Sequence, residues 1–316
     1  MKILVTGSAG HLGEALMRTF AAAGQDAIGV DVLASPFTQV VGSIVDPDVV
    51  SRCMQDVDVV LHAATLHKPH VATHSRQDFV DVNVTGTLNL LEAAAARRVR
   101  AFIYTSTTST FGDALTPPAG SPAAWITEDI VPIPKNIYGV TKVAAEDLCQ
   151  LFHRNQRLPC LVLRTSRFFP EGDDVPEKQA AWDDANLKVN ELLYRRVDVE
   201  DVVGAHLCAI EKAATLGFGR FIISGTSPFL REDVALLGRD APAALAARVP
   251  EYLEVFAQRG WKMLPLLDRV YDNTRARTLL GWRPRVDFRS ALQAVARGED
   301  WRSPLARAVG WKGYHR

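Results

Sequence analysis

The stretch Tyr138-Gly139-Val140-Thr141-Lys142 sets a phenol and an ammonium four residues apart, one turn along a single helix face. A phenol with an ordinary acidity near 10 is a poor base at neutral pH. A neighbouring ammonium stabilises the phenolate, so the spacing predicts a Tyr138 whose pKa Lys142 lowers into use as proton acceptor and donor. Upstream, Ile103-Tyr104-Thr105-Ser106-Thr107-Thr108-Ser109 ends a β-branched run in a row of hydroxyls. In an open α/β sheet that edge is where ligands bind, and a hydroxyl there can hold a substrate oxygen against Tyr138.

A second constellation lies at the start of the chain. Thr6-Gly7-Ser8-Ala9-Gly10-His11-Leu12-Gly13 separates a strand-like run from a helical one. Gly7 permits a tight turn, Gly10 lets backbone approach a pyrophosphate, and Gly13 lets helix and strand pack closely. Asp31 closes the next strand, where a carboxylate accepts from the diol of an adenosine ribose and repels a 2′-phosphate. Strand, glycine turn, helix and terminal Asp in that order predict NAD rather than NADP as cofactor.

Two further groups leave alternatives open. Arg167, Arg195 and Arg196 either clamp a phosphate or carboxylate of the substrate, or pair with the acidic residues of 170–184. His62, His67, His70 and His74 are spaced to share a helix face as metal ligands, to line a polar substrate loop, or to lie on plain surface. The expected site carries no metal.

These groups need a scaffold, and the rest of the sequence supplies one. Lys2–Thr6, Ala27–Val30, Val57–His62 and Ala101–Ser106 read as strands; Leu12, Ala15, Leu16 and Phe20 make one apolar helix face. Val82–Arg98 and Tyr138–Arg154 read as longer helices. Such alternation predicts an α/β fold with a doubly wound parallel sheet covered on both faces. Residues 170–184 read as an acidic loop or lid. The proline-rich 117–134 stretch reads as irregular.

Composition narrows the function class. The 316 residues carry 36 Lys+Arg against 36 Asp+Glu, a balance without the basic footprint of a nucleic-acid or anionic-membrane binder. No apolar run approaches the 18 or more residues of a membrane span, and Met1–Gly7 lacks a signal-peptide layout. The scattered Cys53, Cys149, Cys160 and Cys208 show no disulfide or zinc spacing, so reduced thiols and a cytoplasmic setting are expected.

Taken together the motifs resemble the extended short-chain dehydrogenase/reductases, the group with nucleotide-sugar epimerases and dehydratases. The resemblance rests on Thr6–Gly13, Leu61-His62-Ala63-Ala64 and the run from Asn83-Val84-Thr85-Gly86 to Ala93. It rests also on the hydroxyl row ending Phe111-Gly112, the Tyr138/Lys142 pair and Leu280-Gly281-Trp282-Arg283-Pro284. It implies a Rossmann-type domain over 1–165, with 196–224 returning to it, and a smaller substrate lobe from 166–195 and 225–316. It implies Thr107, Tyr138 and Lys142 as catalytic residues. For NAD it implies Gly7, Gly10, His11, Leu12, Gly13, Asp31, Ile44, Ala63, Ala64 and Thr105, with Tyr138 and Lys142. Substrate falls to Thr107, Thr108, Arg167, Arg195 and Arg196, and a homodimer is implied.

The sequence departs from the family pattern at several points. Ser43 replaces an Asp that contacts adenine. Thr108 and Ser109 replace the Asp-Glu pair of the 4,6-dehydratases, which disfavours dehydration. Arg167 stands where nucleotide-sugar enzymes place Asn, and Tyr194 where they keep an Arg for the pyrophosphate. The expected activity is NAD-dependent epimerisation of a sugar or nucleotide sugar through a keto intermediate. The alternatives are a dehydrogenase of a smaller hydroxy or keto substrate and a non-catalytic NAD sensor.

Overall fold

The computed structural model describes residues 1–172 and 180–313. Part of the acidic segment expected as a lid, 173–179, lies outside the described residues. Among the described residues seven strands form one parallel sheet in the order β3-β2-β1-β4-β5-β7-β8. They are β1 (Ile3–Thr6), β2 (Ala27–Asp31), β3 (Val40–Val41), β4 (Val59–His62), β5 (Ala101–Thr107), β7 (Cys160–Thr165) and β8 (Phe218–Ile223). A separate parallel pair joins β6 (Ala124–Ile126) to β9 (Arg269–Tyr271). This pair puts regular structure inside the proline-rich stretch read as irregular.

The sheet is apolar on both faces because successive side chains along a strand point to opposite sides. Ile3 and Val5 of β1 face one cluster, which α1 (His11–Ala22) and the helix Val199–Leu216 complete with Leu16, Phe20, Val202 and Ala209. Leu4, from the same strand, faces the other. That second cluster is closed by α2 (Pro47–Cys53), α4 (Gly86–Ala96) and α5 (Ile137–Gln156) through Val50, Leu90, Leu91, Ala145 and Cys149.

The helix expected over Val82–Arg98 is interrupted. A short α3 (Arg76–Val80) runs into a π-helical turn, Asp81–Thr85, before α4 begins. The wider turn carries Asn83 inward, where its amide donates to Leu66 O and Thr141 Oγ1, both at 3.0 Å, and accepts from Leu66 N at 2.8 Å. α5 starts at Asn136, whose side chain accepts from Gly139 N, and stops at Arg157 in the left-handed region.

A third apolar cluster is made mainly from residues 189–194 and 229–295. It also draws in Ala123 and Trp125, from inside the 1–165 range expected for the first domain. Among the described residues no helix is long and apolar enough to cross a membrane.

Candidate active site

All the parallel strands end on one edge, and the chain turns that follow β1, β2, β4, β5 and β7 enclose a cleft of about 830 Å³. Its floor is the glycine turn. Gly7 has φ +74°, a region L side chains rarely adopt, and a Cβ there would sit 2.8 Å from Ala64 N. A Cβ on Gly13 would fall 1.9 Å from Gly7 O, so only glycine lets α1 approach β1 this closely. Gly10 is the N-cap of α1 and brings no side chain to cap its first amides, which leaves that end suited to an anion. Asp31 closes the far wall. Its two oxygens take the N–H groups of Ala9 (3.0 Å) and Leu33 (2.9 Å), leaving lone pairs on each for a diol. Ser43 lies here too, with its hydroxyl turned to Val45 N. These surfaces fit a dinucleotide: a side-chain-free floor, a helix N-terminus and a carboxylate, in that order along the cleft.

His62 braces the floor from below. The Thr87 hydroxyl donates to Asn83 O (2.7 Å), so toward His62 Nε2 it can only accept. Nε2 therefore carries the hydrogen and Nδ1 accepts from Thr6 Oγ1 at 2.8 Å. The Thr6 oxygen in turn accepts the N–H groups of Ala63 and Ala64, each at 3.1 Å, fixing the backbone that meets Gly7. Burial, helped by the Lys142 charge, holds His62 well below the usual histidine range, and it stays neutral. The other histidines go elsewhere. His67, His70 and His74 ride a 3₁₀ turn over Lys68–Ala72, pack ring against ring, and line the cleft. The four do not share a helix face. Among the described residues no group of three or more His, Cys, Asp or Glu side chains is gathered for a metal.

At the centre Tyr138 hydrogen-bonds Thr107, and Lys142 Nζ donates to Thr105 O at 2.7 Å while lying 4.1 Å above the Tyr104 ring. Thr105 is held in turn by His206 Nε2 at 2.9 Å. The expected acidification of Tyr138 by Lys142 is not what the structure shows. Burial pushes Tyr138 up to about 12, with the Thr107 hydrogen bond opposing, and pushes Lys142 down to about 7, with Glu146 opposing. Desolvation disfavours phenolate and ammonium alike, and it is the dominant cause at both groups. Glu146, one turn beyond Lys142, is fully buried and accepts from Ser106 (2.6 Å), Arg164 (2.7 Å) and Arg220 (3.0 Å).

The three arginines separate. Arg167 and Arg195 reach the cleft, as do Thr107, Thr108, Ser109 and Ser166. Arg196 does not: it is 3% exposed, and its Nε and Nη2 lie 2.7 and 2.6 Å from Glu191 Oε2, with Nη1 on Phe169 O at 2.8 Å. Its expected place at the substrate is therefore wrong, because a neighbouring buried carboxylate claims it. Glu191 also takes Arg195 at 2.5 Å. Burial would raise the Glu191 carboxyl, but Arg196, Arg195 and Arg167 together hold it down at about 2. Among the described residues the carboxylate that holds Arg195 and Arg196 is Glu191, at the end of the helix Asp184–Glu191, while Arg167 donates to the backbone of Glu171 and Gly172. Sequence reasoning missed Arg269 and Tyr271, which bring β9 to the cleft beside Arg167 and Arg195. Arg269 and Arg195 both lie over the ring of Tyr194, at 5.5 and 5.4 Å. The signal in the sequence was weak, a short Arg269-Val270-Tyr271 run more than 70 residues beyond Arg195.

Comparison with known proteins adds to this geometry. A family model described as the NAD dependent epimerase/dehydratase family matches residues 3–223. UDP-glucose 4-epimerase of Lactobacillus helveticus is 26% identical, covering 90% of this chain and 92% of that protein. GDP-6-deoxy-D-mannose reductase of Pseudomonas aeruginosa is 27% identical over 96% and 97%. In fold, the chain is similar to a short-chain dehydrogenase/reductase superfamily protein of Agrobacterium tumefaciens solved with NAD. That match has a TM-score of 0.66 at 24% identity and covers 98% of this chain and 97% of that one.

Proposed function

The chain belongs to the NAD dependent epimerase/dehydratase family, and from that premise we propose that it is an epimerase acting on an anionic sugar or nucleotide sugar. The observation that carries this reading is the hydrogen-bonded Tyr138 and Thr107, with Lys142 beside them, in the same cleft as the glycine turn and Asp31. When bound along that turn, NAD supplies a hydride acceptor and, on the return step, a hydride donor. Thr107 orients the reacting oxygen, and Tyr138 takes its proton and later restores it. Lys142, anchored on Thr105 O, is placed to favour the phenolate when charged. The protonated phenol that burial favours is the form that returns a proton to a keto oxygen. Thr108 and Ser109 offer hydroxyls and no carboxyl, so no acid–base pair for dehydration stands there.

Arg167, Arg195 and Arg269 give the substrate end its charge, suited to a phosphate or carboxylate held by planar guanidinium forks. Their arrangement also favours a second reading, a reductase or dehydrogenase of a smaller anionic substrate. Arg167, which lines the cleft, also bonds the backbone of Glu171 and Gly172. The reading further includes a homodimer meeting on α4 and α5, where Val140 is 50% exposed. It includes a cytoplasmic setting, in keeping with four free cysteines. Proton NMR of candidate nucleotide sugars and sugar acids incubated with the enzyme tests the proposal. Inversion at one carbon without accumulation of NADH supports the epimerase. Stoichiometric NADH formation with a ketone product overturns it in favour of the dehydrogenase.

A further inference from the structure

Three distant parts of the chain meet at Glu171. Its Oε1 lies 3.0 Å from Nε2 of His11, inside the glycine turn, and accepts the backbone N–H of Lys312 at 3.0 Å. The carboxyl is 1% exposed. Burial would raise it, but the His11 and Lys312 hydrogen bonds hold it at about 2, so it is a carboxylate at neutral pH. The ammonium of Lys312 meanwhile pairs with Glu14, in the first turn of α1, which also holds Arg18 at 2.7 Å. The approach of this tail is fixed by packing. The short helix Pro304–Val309 seats Val309, with Leu305 and Ala306, in the apolar cluster that contains α1. Gly310, at φ +63°, then turns the chain toward the cleft, and Lys312 borders it beside Gly10 and His11.

We propose that residues 311–313 form a strap across the outer side of the glycine turn, with Lys312 and Glu171 as positioning residues that retain the dinucleotide. The strap lies at the helix end where the pyrophosphate would sit, and it is fastened twice, through backbone to Glu171 and through side chain to Glu14. Release of the dinucleotide then requires both fastenings to open. The inference rests on the NAD reading and deepens it: an enzyme that takes a hydride and gives it back has use for a cofactor that stays between turnovers. Glu171 also ties retention to the substrate end, since Arg167 donates to its backbone carbonyl at 3.5 Å.

The test is the NADH dissociation rate, followed by fluorescence as excess NAD+ displaces it in stopped flow. The full chain is compared with Lys312→Ala, Lys312→Glu and a variant ending at Gly310. Melting temperature is measured on each. Off-rates are expected to rise about tenfold or more in Lys312→Glu and in the shortened chain, and less in Lys312→Ala, which keeps the backbone bond. Lys312→Arg should return the rate close to that of the full chain. Off-rates within about twofold of the full chain in every variant overturn the strap. If the shortened chain fails to fold, the full-length Lys312→Glu decides the same question. Absence of NADH binding by the unaltered full chain overturns the cofactor reading instead, so the two failures are distinguishable.

Discussion

The cofactor end of the cleft is built from backbone and short side chains on three neighbouring strands, whereas the substrate end is built from long cations on segments far apart in sequence. Gly7, Asp31 and Ala63 sit at the ends of β1, β2 and β4 or in the turn just after, with positions set by sheet register, and Gly13 sits in the first turn of α1 against Gly7. Arg167, Arg195 and Arg269 owe their positions to β7, to the turn after the helix Asp184–Glu191, and to β9. One carboxylate, Glu191, holds both Arg195 and Arg196, and of these two only Arg195 also lines the cleft. A site made of backbone tolerates little change, because a single Cβ closes it. A site made of charged side chains can be re-aimed by moving one counter-charge.

The largest effect should come from the point where the two ends meet. Tyr138→Phe removes one oxygen from the proton path, so turnover should fall about 10²–10⁴-fold with NAD affinity within a few fold. A loss under tenfold would place the proton transfer elsewhere.

Next comes the counter-charge itself. Glu191→Gln leaves Arg195 and Arg196 without their carboxylate, and breaking a buried pair in this way costs about 3–5 kcal/mol. Urea unfolding measures it, and a change below 1 kcal/mol would contradict the assigned network. The pH dependence has a definite sign. Glu191 titrates at about 2 in the folded chain against an ordinary 4.5, so the folded state binds fewer protons between those values. The stability it contributes is complete above about 4.5 and is lost as pH falls toward 2. Glu191→Gln should flatten that part of the acid limb.

A smaller effect separates the arginines. Arg167→Lys should raise KM for the true substrate about tenfold and leave melting temperature nearly unchanged, because Lys lacks the planar fork. Arg196→Lys should do the reverse, lowering stability by about 1–3 kcal/mol through the lost Glu191 and Phe169 bonds while KM stays the same. An unchanged KM in Arg167→Lys would refute the anion clamp.

The smallest change tests the cofactor end. Asp31→Ala should narrow the preference for NAD(H) over NADP(H), measured by titration calorimetry, by removing a charge that repels a 2′-phosphate. The fold should be undisturbed, since among the described residues the Asp31 carboxylate accepts from two backbone amides at the rim. An unaltered preference would remove Asp31 from the ribose.

Much of this molecule was legible from local pattern. The β-branched runs, the glycine turn, Asp31 and the Tyr138/Lys142 spacing are short-range signals, each complete within one element or one turn. The π-turn at Asp81–Thr85 was not legible, because one extra residue per turn leaves the apolar period of the flanking helices almost unchanged. Nor was β9, three residues long and paired with a strand inside a proline-rich stretch.

By itself the sequence determined the doubly wound sheet and pointed to the strand edge where Thr107, Tyr138 and Lys142 meet the glycine turn. Backbone sterics and strand–helix alternation settle those within a few residues. Only the tertiary structure decided that Arg196 is buried while Arg195 and Arg167 face the cleft, that Arg269 joins them, and that Lys312 returns to the glycine turn. It also reversed the expected effect on Tyr138, which is held near 12 rather than lowered. Charges act through distance and burial, and neither is written in the spacing of residues along a chain.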